Sequence, residues 1–392
     1  MQETAAITKP SYDVVVVGAR CAGAATALLL ARQGRSVLLL DRDRRGTDTL
    51  STLALMRAGV LQLHRWGLLD RVRSKGTPPI KATSFIYGDE TITLPIKPKN
   101  GVDALYAPRR TLLDPLIADA AAAAGAEVVY GPRLIDLERN GDGRVVGAVI
   151  EDRDGSKTCV GAGIVIGADG LKSTVARLVG AIPYREGRHA GGVVFTFFQG
   201  LVNDRSRWYY RDGVSSGSIP TNNGDALVFA AMPGPRFHDE IQSDLVAGFQ
   251  RVLAESSPEL AGEVNHAIPS ERYRGFPGQP GLMRRSHGPG WALVGDAGYF
   301  KDPITAHGIS DALRDAELLA RAVGRGTDSA LAEYESTRDA LSCELFEITD
   351  TIASFGWDLE RLKPLHLDLS KAMNHEVEAL LGLDEETSTQ NA

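Results

Sequence analysis

Apolar residues change their period several times along this chain, and the changes divide it into segments. Tyr12 to Val17 is a short β-branched run, followed by a glycine turn, an alanine- and leucine-rich stretch from Ala22 to Gln33, Gly34, and a second apolar run from Ser36 to Leu40. A span of about 30 residues suits two parallel strands joined by a crossover helix, the unit that opens a doubly wound sheet. From Thr77 to Lys99 the pattern shortens to Thr83 to Tyr87 and Thr91 to Leu94, broken by prolines, which predicts antiparallel sheet. A helix over Thr111 to Ala124 then leads into strands at Glu127 to Tyr130, Leu134 to Arg139 and Val145 to Asp152, and the run Ala162 to Ile166 stops at Gly167-Ala168-Asp169-Gly170. Strands return at Val193 to Phe198, Trp208 to Arg211 and Ala226 to Met232, with a helix near Ser243 to Ala254. A last strand, Trp291 to Val294, precedes a helix from about Ile309 to Val323, and Ser329 to Leu383 is helical by pattern with breaks near Gly356 and Pro364. The expected architecture is α/β. A doubly wound domain takes residues 8–76, 100–180 and 276–326, an interleaved β-sheet domain takes 77–99 and 181–275, and residues 327–392 form a helical C-terminal region.

Composition narrows the function classes. The chain has 392 residues, 43 Lys+Arg against 50 Asp+Glu and a formal net charge of -7. With no long basic run, it lacks the clustered positive charge on which a nucleic-acid binder depends, so nucleic acid is not an expected partner. Cys21, Cys159 and Cys343 form no C-x-x-C pair and no Cys/His cluster at metal-ligand spacing, so neither a disulfide framework nor a metal is expected. Met1 to Tyr12 contains Glu3 and lacks the apolar core of a secretory signal, and no stretch of about 18 apolar residues occurs. No transmembrane segment is expected, and the expected location is cytoplasmic. The 42 glycines raise the question of whether they scatter as turns or gather where backbone approaches a ligand.

Some of them gather. Gly18-Ala19-Arg20-Cys21-Ala22-Gly23 follows the first strand and opens the first helix, and Asp41 ends the second strand. In a dinucleotide fingerprint Gly18 permits the tight turn and Gly23 lets helix and strand pack closely. The helix N-terminus offers N–H groups to a pyrophosphate, and Asp41, followed by Arg42, can accept ribose hydroxyls. Arg20 stands where the fingerprint has a second glycine, so its side chain must turn from the ligand's path or fold back onto it. We expect its guanidinium to support the dinucleotide. Gly295-Asp296-Ala297 follows the last strand, and Pro303 to Ser310 runs straight into a helix. An acid at that strand end can accept from ribityl hydroxyls, which only a flavin dinucleotide possesses. The helix N-terminus behind it would stabilise the negative charge of a reduced flavin. Two literal matches fail: Gly213 to Gly217 fits a hydrolase nucleophile pattern but no helix can follow, and Gly167 to Ser173 lacks the glycine that a P-loop needs before its lysine.

Jointly these residues resemble the class A flavoprotein monooxygenases, the group typified by p-hydroxybenzoate hydroxylase. Four elements carry the resemblance across most of the chain: the fingerprint ending at Asp41, Arg57-Ala58-Gly59-Val60-Leu61, Gly167 to Gly170 with Ser173, and Gly295-Asp296-Ala297 followed by Pro303 to Ser310. The resemblance implies a Rossmann-like FAD-binding domain, FAD as cofactor and NAD(P)H as transient reductant. It places Arg57 near the flavin, Arg110 at a helix start beside the cofactor, and Asp169-Gly170 where both FAD and reduced nicotinamide are served. Asp296 falls at the ribityl-binding acid, and Pro303, Ala306, His307, Gly308 and Ile309 fall in the loop along the isoalloxazine. Ala306 and Ser310 stand where many members carry glycine and asparagine, and Leu53 where they often carry histidine. His307 is the one titratable group of that loop. A proton-shuttle role for it competes with a plain loop role in which only its backbone matters.

The implied reaction transfers one atom of molecular oxygen, through a flavin C4a-hydroperoxide, to an aromatic or polyunsaturated small molecule by hydroxylation or epoxidation. No second fingerprint binds nicotinamide, so NAD(P)H binds transiently or a separate flavin reductase is a partner. Phe197, Trp208, Tyr210 and Phe229 are the candidate substrate wall, with sheet core as the competing reading. Three alternatives stay open: a reductase of the geranylgeranyl reductase type, a flavin halogenase, and a non-catalytic flavin-binding protein. For the halogenase no W-x-W-x-I-P segment is present.

Overall fold

The computed structural model describes residues 7–202 and 204–390, with side chains described to Leu383. Residues 1–6, on which part of the expectation about a secretory signal rests, lie outside the described residues, as do the last two residues of the C-terminal region.

Strand β1 (Ser11–Val17), helix α1 (Cys21–Arg32) and strand β2 (Val37–Asp41) form the opening parallel unit. Its β-branched and leucine runs are buried on both faces, as a central parallel strand requires. Helix α2 (Arg57–Arg65) follows, then strands β3 (Ala82–Tyr87) and β4 (Glu90–Pro95) and helix α3 (Arg110–Ala123). Strands β5 (Glu127–Tyr130), β6 (Arg133–Arg139), β7 (Val145–Glu151) and β8 (Lys157–Gly167) come next. Strands β9 (Gly191–Gln199), β10 (Ser206–Arg211), β11 (Val214–Pro220) and β12 (Ala226–Pro233) precede helix α4 (Leu245–Ser256). Strand β13 (Trp291–Leu293) leads to helices α5 (Gly308–Arg325), α6 (Asp328–Ala353) and α7 (Leu359–Gln390).

The first sheet carries β13, β8, β1, β2 and β5 side by side and parallel, with β6 and β7 added antiparallel beyond β8. The second sheet runs β9, β12, β11, β10, β3, β4, so β3 and β4 leave the first third of the chain to pair with strands of the middle. Residues 183–186 join neither; they pair with 282–284 in a small third sheet. Strand β11 was absent from the sequence reading because Ser215 to Ser218 gives no apolar alternation, yet its serines are buried between neighbouring strands. The pattern predicts breaks near Gly356 and Pro364; the chain breaks at residues 354–358, and helix α7 runs on through Pro364, its sixth residue, where the missing N–H removes one helical hydrogen bond without ending the helix.

Alternation along β9 gives it two faces. Val193, Phe195 and Phe197 share a core with Trp208, Tyr210 and Phe229, and Val194 and Phe198 pack against helix α4. The first face is covered by the C-terminal region through Leu345, Ile352, Trp357, Leu362 and Leu369. That region reaches both bodies, since Leu331, Tyr334, Val377 and Leu380 belong to the core of the parallel sheet's helices.

Candidate flavin site

One cavity of about 740 Å³ runs from the turn after β1 to the start of α5. Two long helices point their N-termini at it. At α1 the N-cap is Arg20, whose side chain makes no cap hydrogen bond and whose first turn holds no acid. At α5 the N-cap is His307, again without a side-chain cap. Uncapped N–H groups facing a cavity are the donor set an anionic ligand needs.

The first end is built mostly by backbone. Gly18 has φ +106°, and a Cβ there would lie 2.4 Å from the Ala168 carbonyl oxygen; at Gly23 it would lie 1.8 Å from the Gly18 carbonyl oxygen. Gly18, Arg20, Cys21 and Ala22 line the cavity, and Ala19 and Gly23 lie behind them in the turn. The Ala19 N–H donates to Asp41 at 2.7 Å and the Asp43 N–H to its other oxygen at 2.8 Å. Asp41 lines the cavity beside Arg42 with spare lone pairs on both oxygens. Arg20 is in extended backbone and lines the cavity, and its guanidinium reaches Asp43 at 3.1 Å and Asp114 at 3.8 Å. Arg110 grips Asp114 with two bonds of 2.9 and 3.0 Å. Burial works against the Arg110 charge, but the Asp114 carboxylate more than offsets it and holds its pKa above the ordinary value. Cys21 donates to the same carboxylate at 2.9 Å; burial pushes its thiol well up, so it is a packing and hydrogen-bonding residue, not a nucleophile.

Asp169 and Gly170 line the cavity between these ends. Asp169 accepts from the Ser173 hydroxyl at 2.5 Å and the Thr174 N–H at 2.6 Å, which fixes the turn after β8. Burial raises its pKa. Gly295, at φ +60°, packs against Ala22 and does not line the cavity, whereas Asp296 does. Asp296 is exposed into the cavity, and desolvation by the protein around it lifts its pKa to about 6.

The second end is built by side chains from distant segments. Pro303, Ala306, Gly308 and Ile309 line it, with Ala306 at φ +52°. His307 does not reach the cavity. It is fully buried and turned back into the protein, with Nε2 2.6 Å from Glu376 of α7. Arg314 meets Glu376 at 2.9 Å, Asp311 at 3.0 Å and Asp315 at 2.7 Å, and Lys301 closes the cluster on Asp311. Burial pulls the His307 pKa down despite Glu376, while His307 and Arg314 hold Glu376 well below the carboxylate range against its own burial. His307, Asp311 and Glu376 offer ligand atoms within 4.8 Å of one another. Arg314 and Lys301 already supply the positive charge there, so a cation would meet two others.

Two sequence expectations place differently. The Arg57 guanidinium turns away from the cavity, donating to the carbonyls of Lys97 at 2.8 Å and Val102 at 3.3 Å. Its segment still touches the site, because Gly59 lies against Ser310 and the Ser310 hydroxyl accepts from the Met56 N–H at 3.1 Å. The aromatic wall is displaced along its own face. Phe197, Trp208, Tyr210 and Phe229 are buried core and do not line the cavity. The Arg109 guanidinium lies 3.5 Å from the Phe197 ring centroid; Trp208 packs tilted against Phe229 at 5.2 Å, and Tyr210 packs on His366 of α7 at 4.7 Å. Val193 and Phe195 of the same face, with Phe276, line the cavity instead. Of the segment Thr49 to Ala54 the sequence points only to Leu53, which holds φ +66°; it gives no sign of the rest of that segment, nor of Lys301, Asp311 and Phe276. The adjacent charges Lys301 and Asp302 after Tyr299-Phe300 were the one available signal.

These residues fit a flavin dinucleotide: the turn admits no side chain at Gly18, two uncapped helix ends share one cavity, and an acid open to that cavity lies between them. The chain matches the family described as an FAD binding domain over residues 11–349. The chain belongs to this FAD-binding family. It is similar to digeranylgeranylglycerophospholipid reductase 1 of Methanopyrus kandleri, at 30% identity with 84% of each chain covered. Squalene epoxidase erg1 of Schizosaccharomyces pombe is 23% identical over 82% of this chain and 71% of its own. Among solved structures, the flavin-dependent brominase Bmp2 superposes with a TM-score of 0.77 at 20% identity, covering 96% of this chain and all of that one. PqsL of Pseudomonas aeruginosa, in complex with 2-aminobenzoylacetate, gives 0.76 at 22% identity over 91% and 99%. The protein is an FAD-dependent oxidoreductase of the superfamily that holds monooxygenases and reductases. Among the described residues no helix is long and apolar enough to cross a membrane.

Proposed function

We propose that this flavoprotein is a monooxygenase acting on an apolar aromatic or polyunsaturated small molecule, with NAD(P)H as reductant. The observation that carries the reading is the apolar wall of Val193, Phe195, Leu53, Ala54 and Phe276, set in the same cavity as the loop Pro303 to Ile309. Bound FAD supplies the redox and oxygen chemistry. The chain's own part is to bind the pyrophosphate at the α1 N-terminus, hold Asp41 and Asp296 for hydroxyl groups, and present the α5 N-terminus to developing negative charge. Helices α6 and α7 keep bulk water from the sheet face behind the wall. His307, bonded to Glu376 and 3.8 Å from the cavity-lining Asp311, stays out of the cavity itself and serves to anchor the loop.

A second reading is hydride transfer without oxygen. It is favoured by the 30% identity to the Methanopyrus kandleri reductase. The test is turnover of the FAD-loaded enzyme with NADH and NADPH, in air and in sealed anaerobic cells, on p-hydroxybenzoate, squalene and menaquinone as probes. The monooxygenase reading requires oxygen uptake that rises with a probe and matches oxygenated product. Product formed equally without oxygen sinks it in favour of the reductase.

A further inference from the structure

Lys301 is the one cavity-lining cation at the second end, and its surroundings are unusual for lysine. Its side chain is 3% exposed, yet it lines the cavity beside Asp296, Pro303 and Gly308. Its only hydrogen-bond partner among the described residues is Asp311, which leaves donor capacity on the ammonium. Asp311 lies in the first turn of α5, where an acid alone would repel an anion brought to that N-terminus. Arg314 takes its other oxygen at 3.0 Å and is itself held by Asp315 and by Glu376 of α7. The acid is therefore fixed from behind and compensated in front. Burial, together with Arg314, pulls the Lys301 pKa down to about 7. A lysine held this way responds to charge that arrives later, because an anion beside it favours its ammonium form.

We propose that Lys301 is the cofactor-facing cation of the flavin-edge loop, positioned by Asp311, and that its charge favours the anionic reduced flavin over the oxidised one. The α5 N-terminus acts in the same direction, so Lys301 adds to it and cancels the opposing charge of Asp311. The inference rests on the reading that the isoalloxazine lies along Pro303 to Ile309. It assigns to this chain a charged side chain that neither the fingerprint nor the glycine pattern signals.

The test is the flavin midpoint potential of the FAD-loaded protein, by dye equilibration, in wild type, Lys301→Met and Lys301→Arg. Lys301→Met is expected to retain FAD and to shift the reduced-to-oxidised ratio about tenfold toward oxidised, a fall of about 30 mV for a two-electron couple. Lys301→Arg is expected to restore most of the shift. If Lys301→Met does not fold, Lys301→Gln, whose amide still donates to Asp311, takes its place with the same expected direction. A charge-removing variant whose ratio stays within about twofold of wild type overturns the proposal, and so does an arginine variant that falls as far as the methionine one. Hydrogen exchange separates this failure from failure of the underlying reading. FAD should slow exchange over residues 303–309 in wild type and variants alike. Absence of that protection removes the reading and the proposal together, whereas protection with an unmoved potential removes the proposal alone.

Discussion

The two helix N-termini that share the cavity have the same dipole and different dressing. At α1 the first turn is free of acids, and the neighbouring cations Arg20 and Arg110 are anchored to Asp43 and Asp114. At α5 an acid, Asp311, sits in the first turn and is balanced by Lys301 and Arg314 within a cluster that extends to Glu376 of the C-terminal helix. The first end suits a ligand group whose charge is permanent, as a pyrophosphate's is. The second suits a group whose charge comes and goes with reduction, where a fixed excess of positive charge would bind one redox state too tightly. A dipole therefore identifies a place for negative charge, and the side chains around it decide which kind.

The comparison breaks most visibly at Glu376. Glu376→Ala takes one of three carboxylates from Arg314 and leaves the buried His307 without its hydrogen-bond partner, and the expected cost of the two lost bonds is about 3 kcal/mol of stability in urea unfolding. A loss below about 1 kcal/mol would mean that the C-terminal helix does not hold the second end.

His366 gives a pH test of the same cover. Burial lowers its pKa from the ordinary 6.5 to about 4, and its Nδ1 meets the Tyr87 hydroxyl at 2.7 Å. Because the folded pKa is depressed, the neutral ring's contribution is complete above about pH 6.5 and is lost as pH falls toward about 4. The loss is of order 3 kcal/mol. Asp296 and Asp302, raised by burial to about 6 and about 7, act in the opposite sense over that window. The difference between wild type and His366→Leu isolates the histidine. That difference should shrink as pH falls from about 6.5 to about 4, and a flat difference would contradict it.

At the first end, Gly18→Ala puts a Cβ against the Ala168 carbonyl in a backbone region that favours glycine. FAD affinity should fall at least about a hundredfold, roughly 3 kcal/mol, in a flavin fluorescence titration. Arg20→Ala should weaken it by about tenfold at most, because the guanidinium is already shared with two carboxylates. Arg57→Ala should leave it within about threefold, since that guanidinium serves two carbonyls away from the cavity.

The same contrast governs what could be read in advance. The first end rests on backbone: a glycine that must take positive φ, a helix start and an acid at a strand end, all within about 30 residues. Such requirements leave a local mark, which singles out Gly18 and Asp41; Asp169 was reached through the family resemblance instead. Most strands were legible for a similar reason, because burial on one or both faces imposes a period, whereas the serine-rich β11 imposes none. The second end depends on contacts between residues far apart in sequence, such as His307 with Glu376 and Val193 with Phe276. Nothing in the local pattern distinguishes Phe195, which lines the cavity, from Phe197 two residues on, which lies on the same face under α7 and Arg109. The turn of His307 away from the cavity depends on a carboxylate 69 residues later.

The most direct measurement is mass analysis of product formed by the FAD-loaded enzyme and NAD(P)H under isotopically labelled dioxygen, with squalene and p-hydroxybenzoate as probes. The expected result is one labelled oxygen atom in the product and none when the label is in water. A product that carries no label, or the same product formed in the absence of oxygen, would contradict the monooxygenase reading.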